Sequence, residues 1–100
     1  AIFGIGGVGG YVAEALARSG VGTLDLIDSD KVSESNLNRQ MFALRSTVGL
    51  NKTEAAARRI ADIHPDCKLT LLPEMLGEET DFAFLDGVEY CIDAEKFPRL

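Results

Sequence analysis

Cysteine is scarce in this chain. Cys67 and Cys91 are the two present, 24 positions apart. They form no CxxC, which argues against a structural zinc built from these residues alone; buried thiols at strand ends are expected instead. Long apolar runs are missing as well. None approaches the roughly 20 residues that a bilayer-spanning helix needs, and no signal-peptide pattern precedes the first glycines. A cytoplasmic protein with no membrane association is therefore expected. Basic charge is short too: ten Lys and Arg face sixteen Asp and Glu, for a net charge of −6. That balance argues against a nonspecific nucleic-acid binder, which carries a basic surface. It leaves room for a local patch, since Arg39, Arg45, Lys52, Arg58 and Arg59 cluster in the middle third while the last third is acidic. There is no internal repeat and no low-complexity tract.

What is present suits one modest core. The chain has 100 residues, 46% apolar and 26% charged, which is the composition of a folded domain rather than a disordered one. Ala1 to Phe3 reads as a strand, shorter than the usual five or six residues. It is expected to be preceded by further residues in the complete protein. A helix follows the glycines, with Val8, Val12 and Leu16 spaced to face a sheet and Tyr11, Glu14 and Arg18 on a wetter face. Gly20 supplies its stop. "TLDLID", Thr23 to Asp28, is apolar enough for an interior strand. The polar "SDKVSESNLNRQ" runs into "MFAL", which completes a short helix, and "STVGLNK" is a loop. "KTEAAARRIADIHP" is a strong helix: Ala56, Ile60 and Ile63 line one side, Glu54 and Arg58 pair at i, i+4, and Pro65 ends it. "KLTLL" is a third strand, Glu78 to Leu85 a weaker helix, and "VEYCI" a fourth strand. Strands alternating with helices imply an α/β fold, a Rossmann-like, mostly parallel sheet with helices on both faces.

Gly4, Gly6, Gly7 and Gly9 form G-x-G-G-x-G between a strand and a helix. Glycine lets the chain turn sharply and lets a phosphate rest on backbone N–H groups, where the helix N-terminus adds positive potential. A turn made only for packing is the plainer alternative, but four glycines in six positions favour a nucleotide. Asp28 ends the second strand 19 residues after Gly9, where a dinucleotide-type fold puts a carboxylate on the ribose hydroxyls. The same aspartate can simply cap the next turn. Asp30 either caps the following segment or positions Arg39. "SNLNRQ" then gathers Asn36, Arg39 and Gln40, and Lys52 opens the next helix. A dehydrogenase has no need of an extra arginine and lysine aimed at phosphate. Attack at a phosphorus of ATP does, because charge grows on the leaving pyrophosphate.

"GIGGVGG", "LIDSD", "SNLNRQ" and "TVGLNK", in this order and spacing, resemble the ThiF/HesA/MoeB superfamily, relatives of the ubiquitin-activating enzymes. Within it "EALARSGVG" and "RIADIHPDC" are most similar to the branch of dehydratases that act on threonylcarbamoyladenosine in tRNA. The resemblance implies adenylation of a carboxylate by Mg2+-ATP, here the threonylcarbamoyl group of a tRNA adenosine, followed by cyclising loss of water. It implies that Gly4, Gly6, Gly7 and Gly9 cradle phosphates and that Asp28 holds the ribose. Asp30, Asn36 and Gln40 join the nucleotide site, while Arg39 and Lys52 stabilise developing charge. It further implies a homodimer. Residues 1–100 then form the nucleotide-binding core of a ThiF-type domain cut short at both ends.

One block departs from that pattern. The superfamily carries D-x-x-D after the fourth strand, its second aspartate approaching the magnesium. Here Asp93 matches the first and Lys96, which cannot bind magnesium, stands at the second: either Glu95 substitutes, or residues are missing from this stretch, or the ligand has been lost. Two other functions compete: adenylation of a ubiquitin-like sulfur carrier, as in thiamin or molybdopterin synthesis, and a noncatalytic scaffold that keeps the fold. An NAD dehydrogenase ranks last.

Overall fold

The computed structural model describes residues 1–74 and 82–94. Strand β1 is Ile2–Phe3, helix α1 Gly7–Arg18, strand β2 Thr23–Ile27, helix α2 Lys52–Ile63, strand β3 Lys68–Leu72 and strand β4 Ile92–Asp93. Short 3₁₀ turns lie at Glu34–Asn36 and Phe82–Leu85. The strands form one sheet in the order β3-β2-β1-β4, and every pairing is parallel. Ile2 and Phe3 sit beside Leu26 and Ile27 on one side and beside Ile92 and Asp93 on the other.

Chain direction decides where the helices go. The β1-to-β2 and β2-to-β3 crossovers step the same way across the sheet, so right-handed connections put α1 and α2 on one face, where they touch each other. Ile2, Leu24 and Leu26 meet Ala13, Ala17, Ala55, Ala56 and Ile60 there, all buried. Burying a side chain of Ile60's size contributes about 1.5–3 kcal/mol. On the opposite face Phe84 of the second 3₁₀ turn stacks at a tilt on Phe3, ring centres 6.4 Å apart. The Rossmann-like sheet expected from the sequence is present.

Helix α1 is rotated from the expected face. Its buried residues are Gly9, Gly10, Ala13, Glu14 and Ala17, whereas Val8 is 71% exposed and Val12 and Leu16 are half-buried. Close approach explains the choice: a Cβ on Gly9 would lie 1.6 Å from the Gly4 carbonyl oxygen, and one on Gly10 3.3 Å from the Phe42 ring. Small residues must face inward at that range, and branched Val8 turns out. Glu14 goes inside because it meets a cation there.

α1 stops as expected, with Gly20 at φ +86° and the Ser19 N–H on the Ala15 carbonyl. α2 ends at Ile63, before Pro65, with Ala56 and Ile60 fully buried and Ile63 half-buried. Glu54 and Arg58 pair at 3.4 Å.

"MFAL" forms turns rather than a helix. The Thr47 hydroxyl donates to the carbonyls of Phe42 and Leu44 and accepts from the Leu44 N–H, which closes these turns locally. The fourth strand is Ile92–Asp93 rather than Val88–Ile92, because β1 offers it two pairing positions. Cys67 is buried as expected, but Cys91, just outside β4, is exposed. Of the expected helix Glu78 to Leu85, the last four residues make the 3₁₀ turn Phe82–Leu85 and residues 78–81 lie outside the described residues.

Candidate nucleotide site

β1 lies between β2 and β4: the chain steps from β1 to β2 and β3 on one side and then crosses back to β4 on the other. Such a switch in strand order opens a crevice at the carboxyl ends of the strands, the usual ligand position in a doubly wound sheet. The loop from Gly4 to Gly9 occupies that position. Gly4 has φ +90°, and its N–H bonds to the Ile27 carbonyl at 2.8 Å, so the loop starts tied to β2. Gly9 admits α1 against the Gly4 carbonyl. Around Gly7, by contrast, an added Cβ would meet nothing within 4 Å. Gly6, the residue before α1, has no side chain with which to cap the first turn. The first-turn N–H groups thus face a bare approach, which suits an anion.

Asp28 is 95% buried, with 5% of its surface exposed. One carboxylate oxygen accepts the Ile5 N–H at 2.7 Å and the other accepts the Asp30 N–H at 2.7 Å. Asp28 therefore both shapes the glycine loop and caps the segment after β2. Each oxygen keeps a second lone pair, which is what a ribose hydroxyl would use.

Asp30 continues the connection. Its carbonyl accepts the Lys52 N–H at 2.9 Å, and its carboxylate lies 3.8 Å from Lys52 Nζ. The Asp30 carboxylate fills neither expected role: the cap after β2 is made by Asp28, and its own ion pair is with Lys52, not Arg39. The flanking strands of chain are zipped together by the Lys31–Asn51 bridge and the Val32 N–H on the Leu50 carbonyl. Lys52 is 8% exposed, although it is a lysine in the first turn of α2. A cation there opposes the helix dipole, so helix stability does not account for the residue. An anion brought to the same place would.

Asn36 is buried, and its Oδ1 accepts from the N–H and the hydroxyl of Ser33. It locks the turn that carries "SNLNRQ". Gln40 projects from that turn to the glycine loop: its Nε2 lies 3.5 Å from where a Gly6 Cβ would be. Arg39 is exposed, and its guanidinium donates to the Ser35 carbonyl at 2.7 Å and to Asn38 Oδ1 at 3.1 Å. The fold thus brings together the glycine loop, Asp28, Asp30, Lys52 and Gln40. Asn36 supports the group through its turn, and Arg39 rests on that turn's outer side.

Sequence reasoning missed two members of this region. The Ile5 N–H carried no signal, being main chain. Glu14 was placed on the wet face; it is buried between Arg59 of α2 and Arg18 of its own helix. Hydrogen bonding from Arg59 chiefly, opposed by burial, holds its carboxyl below the ordinary value. The Glu14–Arg18 spacing was legible; a partner 45 residues away was not.

A cavity of about 610 Å³ lies elsewhere, at the amino ends of the strands, lined by Leu16, Val21, Thr23, Tyr90 and Cys91 among others. Its apolar walls lie away from the glycine loop, and the phosphate-binding features are not found there.

At the crevice mouth β4 ends on Asp93, level with Phe3, and the Ala94 N–H bonds to the Phe3 carbonyl. Glu95 and Lys96 lie outside the described residues. Among the described residues no cluster of three or more His, Cys, Asp or Glu is arranged to hold a metal.

The model of the ThiF family matches residues 1–95. The chain belongs to the ThiF family. This ThiF-family chain is 52% identical over 95 residues to the tRNA threonylcarbamoyladenosine dehydratase of Bacillus subtilis (strain 168), covering 94% of the chain and 37% of that relative. It is 46% identical over 94 residues to the enzyme of the same name from Escherichia coli (strain K12), covering 93% and 35%. It also superimposes on the crystal structure of that E. coli dehydratase in complex with ATP, with TM-score 0.87 and 45% identity, covering 96% of the chain and 40% of the other. The ThiF-family chain thus spans little more than a third of the curated relatives it matches.

Proposed function

We propose that this ThiF-family chain forms the nucleotide site of an ATP-dependent adenylating enzyme whose substrate is the threonylcarbamoyl carboxylate of a tRNA adenosine. One observation carries the reading. A continuous series of hydrogen bonds runs from the Ile5 N–H through Asp28 and Asp30 to the N–H of Lys52. It fixes a buried lysine beside a glycine loop whose helix N-terminus is open to an anion. The similarity to dehydratases of that name, one solved with ATP, supports the substrate.

The chemistry follows from where charge grows. The substrate carboxylate attacks the α-phosphorus of ATP, the bond to the β-phosphate oxygen breaks, and pyrophosphate leaves. Lys52 offsets the charge that accumulates on it, and Arg39 joins Lys52 by turning from Ser35 to the phosphates. Gly6 and Gly7 let the phosphates approach the first turn of α1, Gly9 lets that turn pack on the Gly4 carbonyl, Gln40 borders that loop, and Asp28 takes the ribose. The acyl adenylate is then attacked within the threonylcarbamoyl group, and AMP departs carrying one carboxylate oxygen. The net change in the substrate is loss of water.

Magnesium fits this arrangement as an ion held mainly by phosphate and water with one or two carboxylates. Asp93, at the carboxyl end of β4, would be one such carboxylate, alongside the following acidic position to which the resemblance gives the ion. When bound it would neutralise phosphate charge. The reading extends to a homodimer, supported by the superfamily resemblance; sedimentation of the full chain tests the dimer.

ATP–pyrophosphate exchange tests the whole reading. The full chain with tRNA bearing threonylcarbamoyladenosine is expected to exchange label between pyrophosphate and ATP. No exchange with that tRNA, together with adenylation of a sulfur-carrier C-terminus, would move the substrate to the competing class. No exchange with any carboxylate, together with tight NAD binding, would overturn adenylation itself.

A further inference from the structure

Helices α1 and α2 start at the same edge of the sheet and run side by side, and each begins with a functional element. The glycine loop leads into Gly7, and Lys52 opens α2. Their common core is mostly alanine, Ala13 and Ala17 from α1 and Ala55 and Ala56 from α2, with Ile60 the large buried side chain among them. Alanine lets the helices approach closely and leaves few large side chains to fix their register. Arg59 Nε donates across to a carboxylate oxygen of Glu14, a polar contact between the helices. Glu14 has 9% of its side chain exposed, and its other oxygen holds Arg18 at 3.4 Å. Glu14 lies seven residues past Gly7, and Arg59 seven past Lys52. At 1.5 Å per residue both are about 10 Å along their helices. The pair therefore joins α1 and α2 at equal depth, and any slide of one helix past the other would pull it apart.

We propose that Glu14 and Arg59 are positioning residues, a clasp that keeps the glycine loop level with Lys52 so that one triphosphate can contact both. A directional ion pair with its carboxylate buried, here with the Arg59 side chain 38% exposed, is suited to fixing register between closely packed helices. The clasp rests on the nucleotide reading for its purpose, but its effect on the helix ends can be measured without nucleotide.

The test uses the full chain with Glu14→Gln, Arg59→Gln, their double variant, and Arg18→Gln as control. Arg18 bonds to the same carboxylate from the same helix, so losing it leaves the link between helices intact. Near-UV circular dichroism selects a temperature at which every variant is folded; Arg59→Met replaces Arg59→Gln if the latter does not fold. Calorimetry with ATP is expected to show about tenfold weaker binding for Glu14→Gln and Arg59→Gln, as for misplacement of a binding group. Arg18→Gln should change affinity by less than about twofold, as an exposed pair would, and the double variant should be no worse than the poorer single one. In exchange kinetics the loss should fall on KM for ATP more than on kcat. Unchanged affinity in folded Glu14→Gln, or equal losses in Arg18→Gln and Arg59→Gln, would overturn the clasp. If the unaltered chain binds no ATP, the nucleotide reading fails instead, and hydrogen exchange decides the clasp. Faster exchange of the Gly9, Gly10 and Ala55 amides in Glu14→Gln supports it, and unchanged exchange overturns it.

Discussion

The carboxylate of Asp28 accepts the backbone N–H of Ile5 at 2.7 Å, across 23 positions of sequence. With the Asp30 N–H on its other oxygen, this one side chain joins the glycine loop to the segment that leads to Lys52. A carboxylate suits the position because both of its oxygens accept. In Asp28→Asn one of them becomes an amide donor facing a buried N–H. We expect a loss of about 1–3 kcal/mol, the usual cost of an unsatisfied buried group, read by urea unfolding. Wild-type stability in Asp28→Asn would show that the two bonds contribute nothing to the fold.

Gly7 and Gly9 should separate binding from folding. Gly9→Ala puts a methyl group 1.6 Å from the Gly4 oxygen, and the chain is expected to lose more than about 2 kcal/mol as α1 is pushed outward. Gly7→Ala meets no atom of the fold and should stabilise it by about 0.5–1 kcal/mol by removing glycine entropy from α1. If phosphate uses that open approach, Gly7→Ala will nonetheless weaken ATP binding about tenfold. Thermal melts and ATP calorimetry on the two variants check both halves.

Lys52→Met removes the buried cation and keeps most of the stem's volume. Pyrophosphate exchange is expected to fall about 10²–10³-fold, the scale for loss of one preorganised group at developing charge. The fold should hold, since Lys52 has one carboxylate partner, at 3.8 Å and on exposed Asp30. Exchange within threefold of wild type would remove Lys52 from the chemistry.

Acid should loosen the two helices. Arg59 and Arg18 face Glu14, and hydrogen bonding from Arg59 is the main reason its carboxyl lies below the ordinary value of 4.5. A lowered folded value means that the contribution is complete above 4.5 and is lost as pH falls through the folded value. Unfolding free energy measured from pH 6 downward should therefore decline less steeply in Glu14→Gln than in wild type below pH 4.5. Parallel curves would show that Glu14 does not titrate differently on folding.

The two thiols should react at different rates. Burial pushes the Cys67 thiol up from its ordinary value, whereas Cys91 is exposed. With iodoacetamide under native conditions Cys91 should be labelled first, and Cys67 only on unfolding; peptide mass spectrometry distinguishes them. Equal labelling of the folded chain would contradict the buried position of Cys67.

The sequence alone was enough for the strand–glycine–helix opening, the third strand and α2, with its Glu54–Arg58 pair and its stop before Pro65. It also named several residues that the fold brings together, the glycine loop with Asp28, Asp30, Gln40 and Lys52, while Arg39 lies on the outer side of its turn. Each of these is written in neighbouring positions: a turn needs its own glycines, and a helix stripe repeats every three or four residues. Tertiary structure decided the rest. Periodicity showed that α1 had two faces but not which one was inner. That depended on how closely Gly4 approaches Gly9, which forces small residues inward and Val8 out. It also decided the work of Asp28 and Glu14, whose partners Ile5 and Arg59 are 23 and 45 positions away. Charge and spacing describe what a residue can hold. Only the crossovers that lay β1 beside β2 and α1 beside α2 determine what comes within reach.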